Sequence, residues 1–457
     1  MDRSPPSPPH PPPPTEDGRR FWYGLINYEQ RSPAPADFKL DRLRALLARL
    51  GDPHRRLRVL HVAGSKGKGS TSAMLAAVLG RAGYRTGLFT SPHLCRVEER
   101  FQVDGQPITA SELTVLLEEV RDAARRSASP PTFFEVATAV GFLHFVRRRV
   151  DAAVLEVGLG GRLDSTNVCR PAVALITSIS FDHTDLLGDR LASIAREKAG
   201  IVKPGRPVVS GATAPEARAV IEQVCCERRA PLAQLDQDFR YRYEPGRVDA
   251  DRTRRPRVEV QTRRRRWPDF ELNLLGEHQA ANAAVAVACV ELLREQGWHL
   301  PDAAVAAGLA EVSWPARLEV VGRRPLVVLD CAHNVASAAA LADTLRSSFA
   351  PAKRWLVFAG SSDKDLAGMF RTLAPLFDHA FLTRYTENPR SVPPDQLAGL
   401  LRAACDLPAT VCPTPADAWR AARDRAGPDD LICVTGSVFL AGELRPLLLQ
   451  EQATGAP

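Results

Sequence analysis

Long apolar runs are missing from this sequence. No stretch approaches the ~18 uninterrupted apolar residues that a membrane-spanning helix needs. The first residues also lack the apolar core of a secretory signal. Cysteine is sparse: nine in 457 residues, an odd count, with Cys225 and Cys226 adjacent and no C-x-x-C pair. That pattern argues against a disulfide framework or a zinc site and suits a reducing compartment. Apolar residues make up 45% and charged residues 25%, the balance of a soluble globular chain with room for two or three domains. The expectation is a cytoplasmic, multidomain protein.

A net excess of charge is absent outside one stretch. The formal net charge is +7, but Arg252 to Arg266 holds eight arginines and one glutamate and so carries the whole excess. Short β-prone runs, VEVQ from Val258 and FELN from Phe270, flank four consecutive arginines. This reads as an exposed hairpin with a charged tip inside residues 245–270, because charge runs are mostly solvated faces. A basic patch can also bind a phosphate backbone. One local patch on a balanced chain makes nucleic acid an unexpected partner.

What is present is alternation. Eight of the first fourteen residues are proline, so residues 1–18 read as a disordered, polyproline-like tail that cannot pack. Leu40, Leu43, Leu46, Leu47 and Leu50 then follow at helical spacing. From Leu57, strand-length apolar runs alternate with helical patterns: RVLHVAG, a helix from Ser70 to Ala82, RTGLFT, AAVLEVG, AVALITS and RPVVSG. A second series starts after Trp314-Pro315, with PLVVLD, RWLVFAG, HAFLTR and DLICVTG as its strands. Such alternation predicts an α/β fold with two mainly parallel sheets, each covered by helices on both faces. Ligands would sit at the C-terminal strand ends, where the two units face each other.

The strongest single signal is Val62-Ala-Gly-Ser-Lys-Gly-Lys-Gly-Ser70, an apolar strand running into a glycine-rich turn, a lysine and a helix. Gly64, Gly67 and Gly69 let backbone N–H groups curl around phosphate oxygens, the helix N-terminus adds its dipole, and Lys68 reaches the outer phosphates. The common G-x-x-x-x-G-K-[ST] form fails at its first glycine, which falls on Val62, and Gly69 displaces the hydroxyl to Ser70. Nucleotide binding is the reading, in a narrower form, G-x-x-G-K-G-[ST].

That narrower loop resembles the folate branch of the Mur ligase superfamily, the folylpolyglutamate synthase/dihydrofolate synthase enzymes. Further motifs support the resemblance in the same order: FTSPHL from Phe89, TFFE from Thr132, EVGLGGRLDSTN from Glu156, SFDHTDLLG from Ser180 and REKAGIVKPG from Arg196. GEHQAANAAVA from Gly276, WPARLEVV from Trp314 and DCAHN from Asp330 complete the series, which spans about residues 21 to 450. The resemblance implies a P-loop domain like the Mur ligase central domain over residues 19–313, which includes the arginine hairpin. It implies a smaller Rossmann-like glutamate-ligase domain over 314–457. The implied activity is ATP-dependent addition of L-glutamate to dihydropteroate, to the γ-carboxyl of folate glutamates, or to both, through an acyl phosphate. The expected partners are small molecules, with no membrane, acting on a monomer.

Roles for individual residues follow from the same resemblance. Magnesium, as two ions, would be held by Ser91, Glu156 and His183. Composition alone does not lead to His183, because histidine is an unusual ligand for a hard cation. Lys198, which sequence alone reads as a surface lysine, matches a lysine that is carbamylated in this family. Asn282 would sit near the base, Arg317 would clamp phosphates, Asp330 would hold the ribose, and His333 would face the nucleotide or the reacting centre. Thr132, Phe133, Phe134 and Glu135 together with Leu163, Asp164 and Ser165 match the segments that take the pterin acid.

The chain departs from the family pattern in places. Ser65-Lys66 replaces Thr-Asn and adds a positive charge beside the phosphates, Cys331 replaces glycine, Val335 replaces proline and Phe439 replaces tyrosine. Three other readings compete with the folate-branch ligase. A P-loop kinase or GTPase would share the loop but not FDHTD, REKAG or a second α/β unit. A cell-wall Mur ligase is nearer, but GKGS and FTSPHL favour the folate branch. A phosphate-loop fold turned to nucleic-acid binding would leave the catalytic candidates without a purpose.

Overall fold

The computed structural model describes residues 17–27, 39–126, 129–182 and 184–454. Residues 1–16 of the expected tail lie outside this range, and its last two residues are not tail. Asp17–Tyr23 is a helix with Gly18 and Trp22 buried. Trp22 stacks on Phe133 with centroids 4.5 Å apart and 5° between the rings, and burying it carries the preceding turn onto the protein. No described helix is long and apolar enough to cross a membrane.

The first sheet has eight strands. They are β1 (Val59–Ala63), β2 (Thr86–Phe89), β3 (Phe101–Val103), β4 (Gln106–Pro107), β5 (Ala152–Glu156), β6 (Val173–Ile176), β7 (Val208–Ser210) and β8 (Leu232–Gln234). Their spatial order is β4-β3-β2-β5-β1-β6-β7-β8. Pairing is parallel from β2 across to β8, and β3 and β4 form an antiparallel edge. All five β1 residues are buried. Leu60 and Val62 join the helices Lys68–Arg81 and Glu277–Glu295 on one face, while Val59 joins the helix Phe133–Arg147 on the other. A strand covered on both faces reads as an unbroken apolar run, as RVLHVAG does. The chain leaves β1 between β5 and β6, the switch point at which an open α/β sheet forms its ligand crevice.

The arginine stretch is a hairpin, as its pattern predicted, but not a free-standing one. Strands β9 (Phe239–Glu244), β12 (Arg257–Thr262) and β13 (Phe270–Glu271) form an antiparallel sheet, and β10 (Arg247–Val248) pairs with β11 (Thr253–Arg254). Val258, Val260, Trp267 and Phe270 enter the same core as the helix Glu277–Glu295. Each tip arginine meets a carboxylate: Arg263 with Asp238, Arg264 with Glu295, Arg265 with Asp302 and Arg266 with Glu259. The basic run is thus locally neutralised.

The second sheet contains β14 (Glu319–Arg323), β15 (Leu326–Leu329), β16 (Arg354–Phe358), β17 (His379–Leu382), β18 (Ala409–Val411) and β19 (Leu431–Thr435), in the order β14-β15-β19-β16-β17-β18. Only β14 is antiparallel. Alternate residues again feed two cores, Val328 and Leu356 one and Leu329 and Val357 the other. Between the sheets, Ala316 and Leu318 both adopt positive φ, 54° and 49°. Two consecutive-but-one residues in this sparsely populated region mark a tightly determined turn, and Arg317 sits between them.

Candidate active site

The phosphate loop is strapped to the segment after β6. Ser65 N donates to Ser178 O at 2.7 Å, Lys66 N donates to Ser178 Oγ at 3.0 Å, and Thr177 Oγ1 donates to Lys66 O at 2.5 Å. Gly67 has φ 82°, and a Cβ there would lie 2.1 Å from Asn282 Oδ1. Only glycine fits that turn, and the same contact brings Asn282 to the loop. Gly69 has a different reason. A Cβ would stand 3.0 Å from the Trp314 ring, so the glycine that displaces the usual hydroxyl makes room for the indole. Lys68 Nζ donates to Gly64 O at 3.1 Å, and Ser70 is buried in the first helical turn.

Glu156 ends β5 beside this loop and is buried. Its Oε2 accepts the Ser91 N–H at 3.1 Å, and no hydrogen bond among the described residues reaches its Oε1. Burial raises its pKa, against the pull of Lys68, the Ser91 N–H and Arg317. Lys198 lies in the helix Leu191–Ala199 and is only 4% exposed, not the surface lysine that the sequence alone suggests. No hydrogen bond or ion pair reaches its amine among the described residues. Burial, reinforced by the Lys68 charge, pulls it down to about 7. His183 lies outside the described residues.

The facing wall comes from the second sheet. Asp330, at the end of β15, is buried and accepts Leu318 N at 3.0 Å and Ala332 N at 2.7 Å. Burial raises its pKa while Arg317 opposes. His333 Nδ1 lies 2.8 Å from Cys331 O and its Nε2 lies 3.3 Å from Lys66 Nζ. Burial, then the Lys66 charge, drives its pKa down to about 3, so the ring is neutral.

A cleft of about 950 Å³ runs between the two walls. Thr132, Phe134, Glu135, Leu163, Asp164 and Ser165, which the resemblance assigns to the pterin acid, line it. Phe133 does not. It begins the helix Phe133–Arg147 and points into the core against Trp22, because adjacent helical residues face about 100° apart. Glu135 is held by Arg42 at 3.2 Å and closes a capping box with Thr132. Both Asp164 oxygens are occupied: Oδ2 accepts Gly158 N and Leu159 N, and Oδ1 accepts Thr166 N and Thr166 Oγ1. Its carboxylate shapes the turn and has little left to offer a ligand. Asn27, Arg42, Asp182, Lys364 and Arg390 also line the cleft and were not singled out from sequence. FDHTD contains Asp182, so that one signal was available.

Comparison with known proteins decides the family. The profile of the Mur ligase middle domain matches residues 62–290, and that of the Mur ligase glutamate ligase domain matches 316–438. The dihydrofolate synthase/folylpolyglutamate synthase of Bacillus subtilis is 35% identical over 95% of this chain and 99% of its own length. The Mycobacterium tuberculosis enzyme of the same description is 36% identical over 92% of each.

The chain belongs to the dihydrofolate synthase/folylpolyglutamate synthase family of Mur ligases.

Among solved structures, E. coli FolC in complex with DHPP and ADP superposes with a TM-score of 0.84 at 30% identity, covering 95% of this chain and 97% of that one. Mycobacterium tuberculosis folylpolyglutamate synthase complexed with ADP and AMPPCP gives 0.83 at 35% identity, over 90% and 95%. This Mur ligase is therefore an ADP-forming acid–amino-acid ligase with ATP as co-substrate. A kinase or GTPase reading is not favoured.

Proposed function

We propose that this ligase joins L-glutamate to dihydropteroate, to the γ-carboxyl of reduced folate glutamates, or to both, through an acyl phosphate. The observation that carries this reading is the phosphate loop with the buried Glu156 beside it and the buried Lys198 within the field of Lys68, on one side of a cleft whose other wall is the second α/β unit. Lys68 is the main charge acting on both of the others. A carboxylate oxygen is a poor leaving group, so the acid oxygen first attacks the γ-phosphorus of ATP and ADP departs. The glutamate nitrogen then attacks the acyl carbon, phosphate leaves, and the amine gives up a proton. In such a reaction the protein contributes positioning and charge neutralisation.

The loop N–H groups and Lys68 would hold the phosphates, Asn282 would lie by the base, Asp330 would take the ribose hydroxyls and Arg317 would clamp the triphosphate from the linker. Phe134, Leu163 and Ser165 would line the seat of the pterin acid. Magnesium suits the donor set, because it needs only one or two carboxylates besides water and phosphate oxygens, and Glu156 is a buried carboxylate with one uncommitted oxygen. Ser91 and His183 would complete the protein ligands. When bound, the ion would neutralise charge developing on the phosphates.

Lys198 fits carbamylation on chemical grounds. Only the neutral amine attacks carbon dioxide, losing a proton to solvent and becoming a carbamate anion. A pKa of about 7 leaves roughly three-quarters of the amine neutral at pH 7.5, against about one part in a thousand for an ordinary lysine. The resulting anion would stand where an ammonium repels metal. The test of the acceptor is ADP release with dihydropteroate plus glutamate, and separately with tetrahydrofolate plus glutamate. Turnover with neither acid overturns the reading, and the two rates assign the activities.

A further inference from the structure

The two lysines of the phosphate loop do different things. Lys68 folds back onto its own loop. Lys66, at a departure from the family pattern, reaches out of it. Its ammonium donates to Asp182 Oδ2 at 2.5 Å and to His333 Nε2 at 3.3 Å. Asp182 follows β6, in the same unit as the loop, whereas His333 follows β15 in the other. The second Asp182 oxygen lies 3.6 Å from Lys364 Nζ, also from the other unit. One carboxylate, 8% exposed, thus takes an ammonium group from each side of the cleft.

The direction of these contacts is fixed. Cys331 O can only accept, so His333 Nδ1 carries the ring proton and Nε2 offers a lone pair, to which the Lys66 ammonium donates. The base of the lysine is fixed as well, because its backbone N and O are both bonded to the segment after β6. The two units also touch closely elsewhere, since a Cβ on Gly442 would lie 2.1 Å from Leu94 O. The Lys66 contacts thus join the two walls of the cleft, which Asp182 and His333 both line.

We propose that Lys66 is a positioning residue that ties the phosphate loop to the second unit, through His333 directly and Lys364 by way of Asp182. It holds the cleft at the spacing where glutamate from one wall meets the acyl phosphate on the other. This rests on the glutamate-ligase reading, and wild-type turnover tests that reading separately. Only the variants test Lys66.

The experiment is steady-state kinetics on the full chain with Lys66→Met and Lys66→Arg, varying ATP and L-glutamate independently. Lys66→Met is expected to raise the KM for glutamate about tenfold, with the KM for ATP changed by less than about threefold and most of the loss recovered in Lys66→Arg. Dye pairs placed on the two units of the ligand-free protein should report a broader distance distribution in Lys66→Met. A rise in the KM for ATP alone would make Lys66 a phosphate cation and overturn the proposal, as would unchanged kinetics. If Lys66→Met fails to fold, Lys66→Gln, neutral but still an N–H donor, is read in the same way.

Discussion

Lys198 offers the sharpest physical test, and its readout is stability rather than turnover. Burial holds the folded-state pKa at about 7 against an ordinary 10.5. Between those values the unfolded chain binds more protons than the folded one, so stability rises with pH. Below pH 7 both states are protonated and the full cost of the buried ammonium is present. The cost lifts as pH climbs through the folded pKa, and it is gone near the unfolded one. From pH 7 to pH 9 the gain is about 2 kcal/mol. Lys198→Met keeps the length of the side chain and removes the titrating group, so it lacks this gain. Urea denaturation followed by tryptophan fluorescence, in bicarbonate-free buffer at pH 7 and pH 9, measures it. The wild type should gain about 2 kcal/mol on the variant across that interval. A difference constant to within about 0.5 kcal/mol would refute the buried neutral amine, and with it the chemical basis of carbamylation. Added bicarbonate should then stabilise the wild type and leave Lys198→Met unmoved.

The other predictions concern the loop and the hairpin. Lys68→Ala should abolish ADP formation while circular dichroism and the melting curve stay close to wild type, because the side chain contacts only loop carbonyls. Gly67→Ala places a Cβ 2.1 Å from Asn282 Oδ1 at φ 82°. It should weaken ATP binding at least tenfold in calorimetry, consistent with a strain of about 1–2 kcal/mol plus the displaced Asn282. The triple variant Arg263→Gln, Arg264→Gln and Arg266→Gln breaks exposed ion pairs worth about 0–1 kcal/mol each. Its turnover should equal wild type, and its Tm should fall by no more than a few degrees.

The sequence was most legible where one strand or one loop does the work. β1, β5, β6 and β19 are buried on both faces and announce themselves as apolar runs. β3 and β4 went unread because three and two residues carry no periodicity, and β14, EVVGR, neither alternates nor forms an apolar run. β9 was hidden by its charged outward face, Arg240, Arg242 and Glu244, which masks the partners of β12. Phe133 and Phe134 show the limit at the site itself. Both are aromatic and adjacent, and only the orientation of the helix separates a core residue from a cleft residue. Asp164 shows another limit, since nothing in LDSTN tells that four donors already occupy its oxygens.

The remaining misreadings share a cause, which is that charge in this cleft is balanced across the two units and not along the chain. Lys66 and Lys68 share the phosphate loop, whereas Lys198, Arg317 and Lys364 come from three other segments, and the carboxylates Glu156, Asp182 and Asp330 from three of their own. The cleft lining adds Glu135, Asp164, Asp363 and Asp365 to the acids and Lys39, Arg42 and Arg390 to the cations, so neither sign dominates it. Lys66 is spent on Asp182, Lys364 is shared between Asp363 at 3.2 Å and Asp182 at 3.6 Å, and the Arg317 charge acts on Asp330 and Glu156. The Lys68 charge adds to the burial that holds the Lys198 amine at about 7. Converting that one amine to a carbamate would move the local charge by two units relative to the ammonium. Since no ion pair reaches that amine among the described residues, the change would turn a group that repels a metal ion into one that attracts it, and the bicarbonate arm of the stability experiment reads whether it occurs.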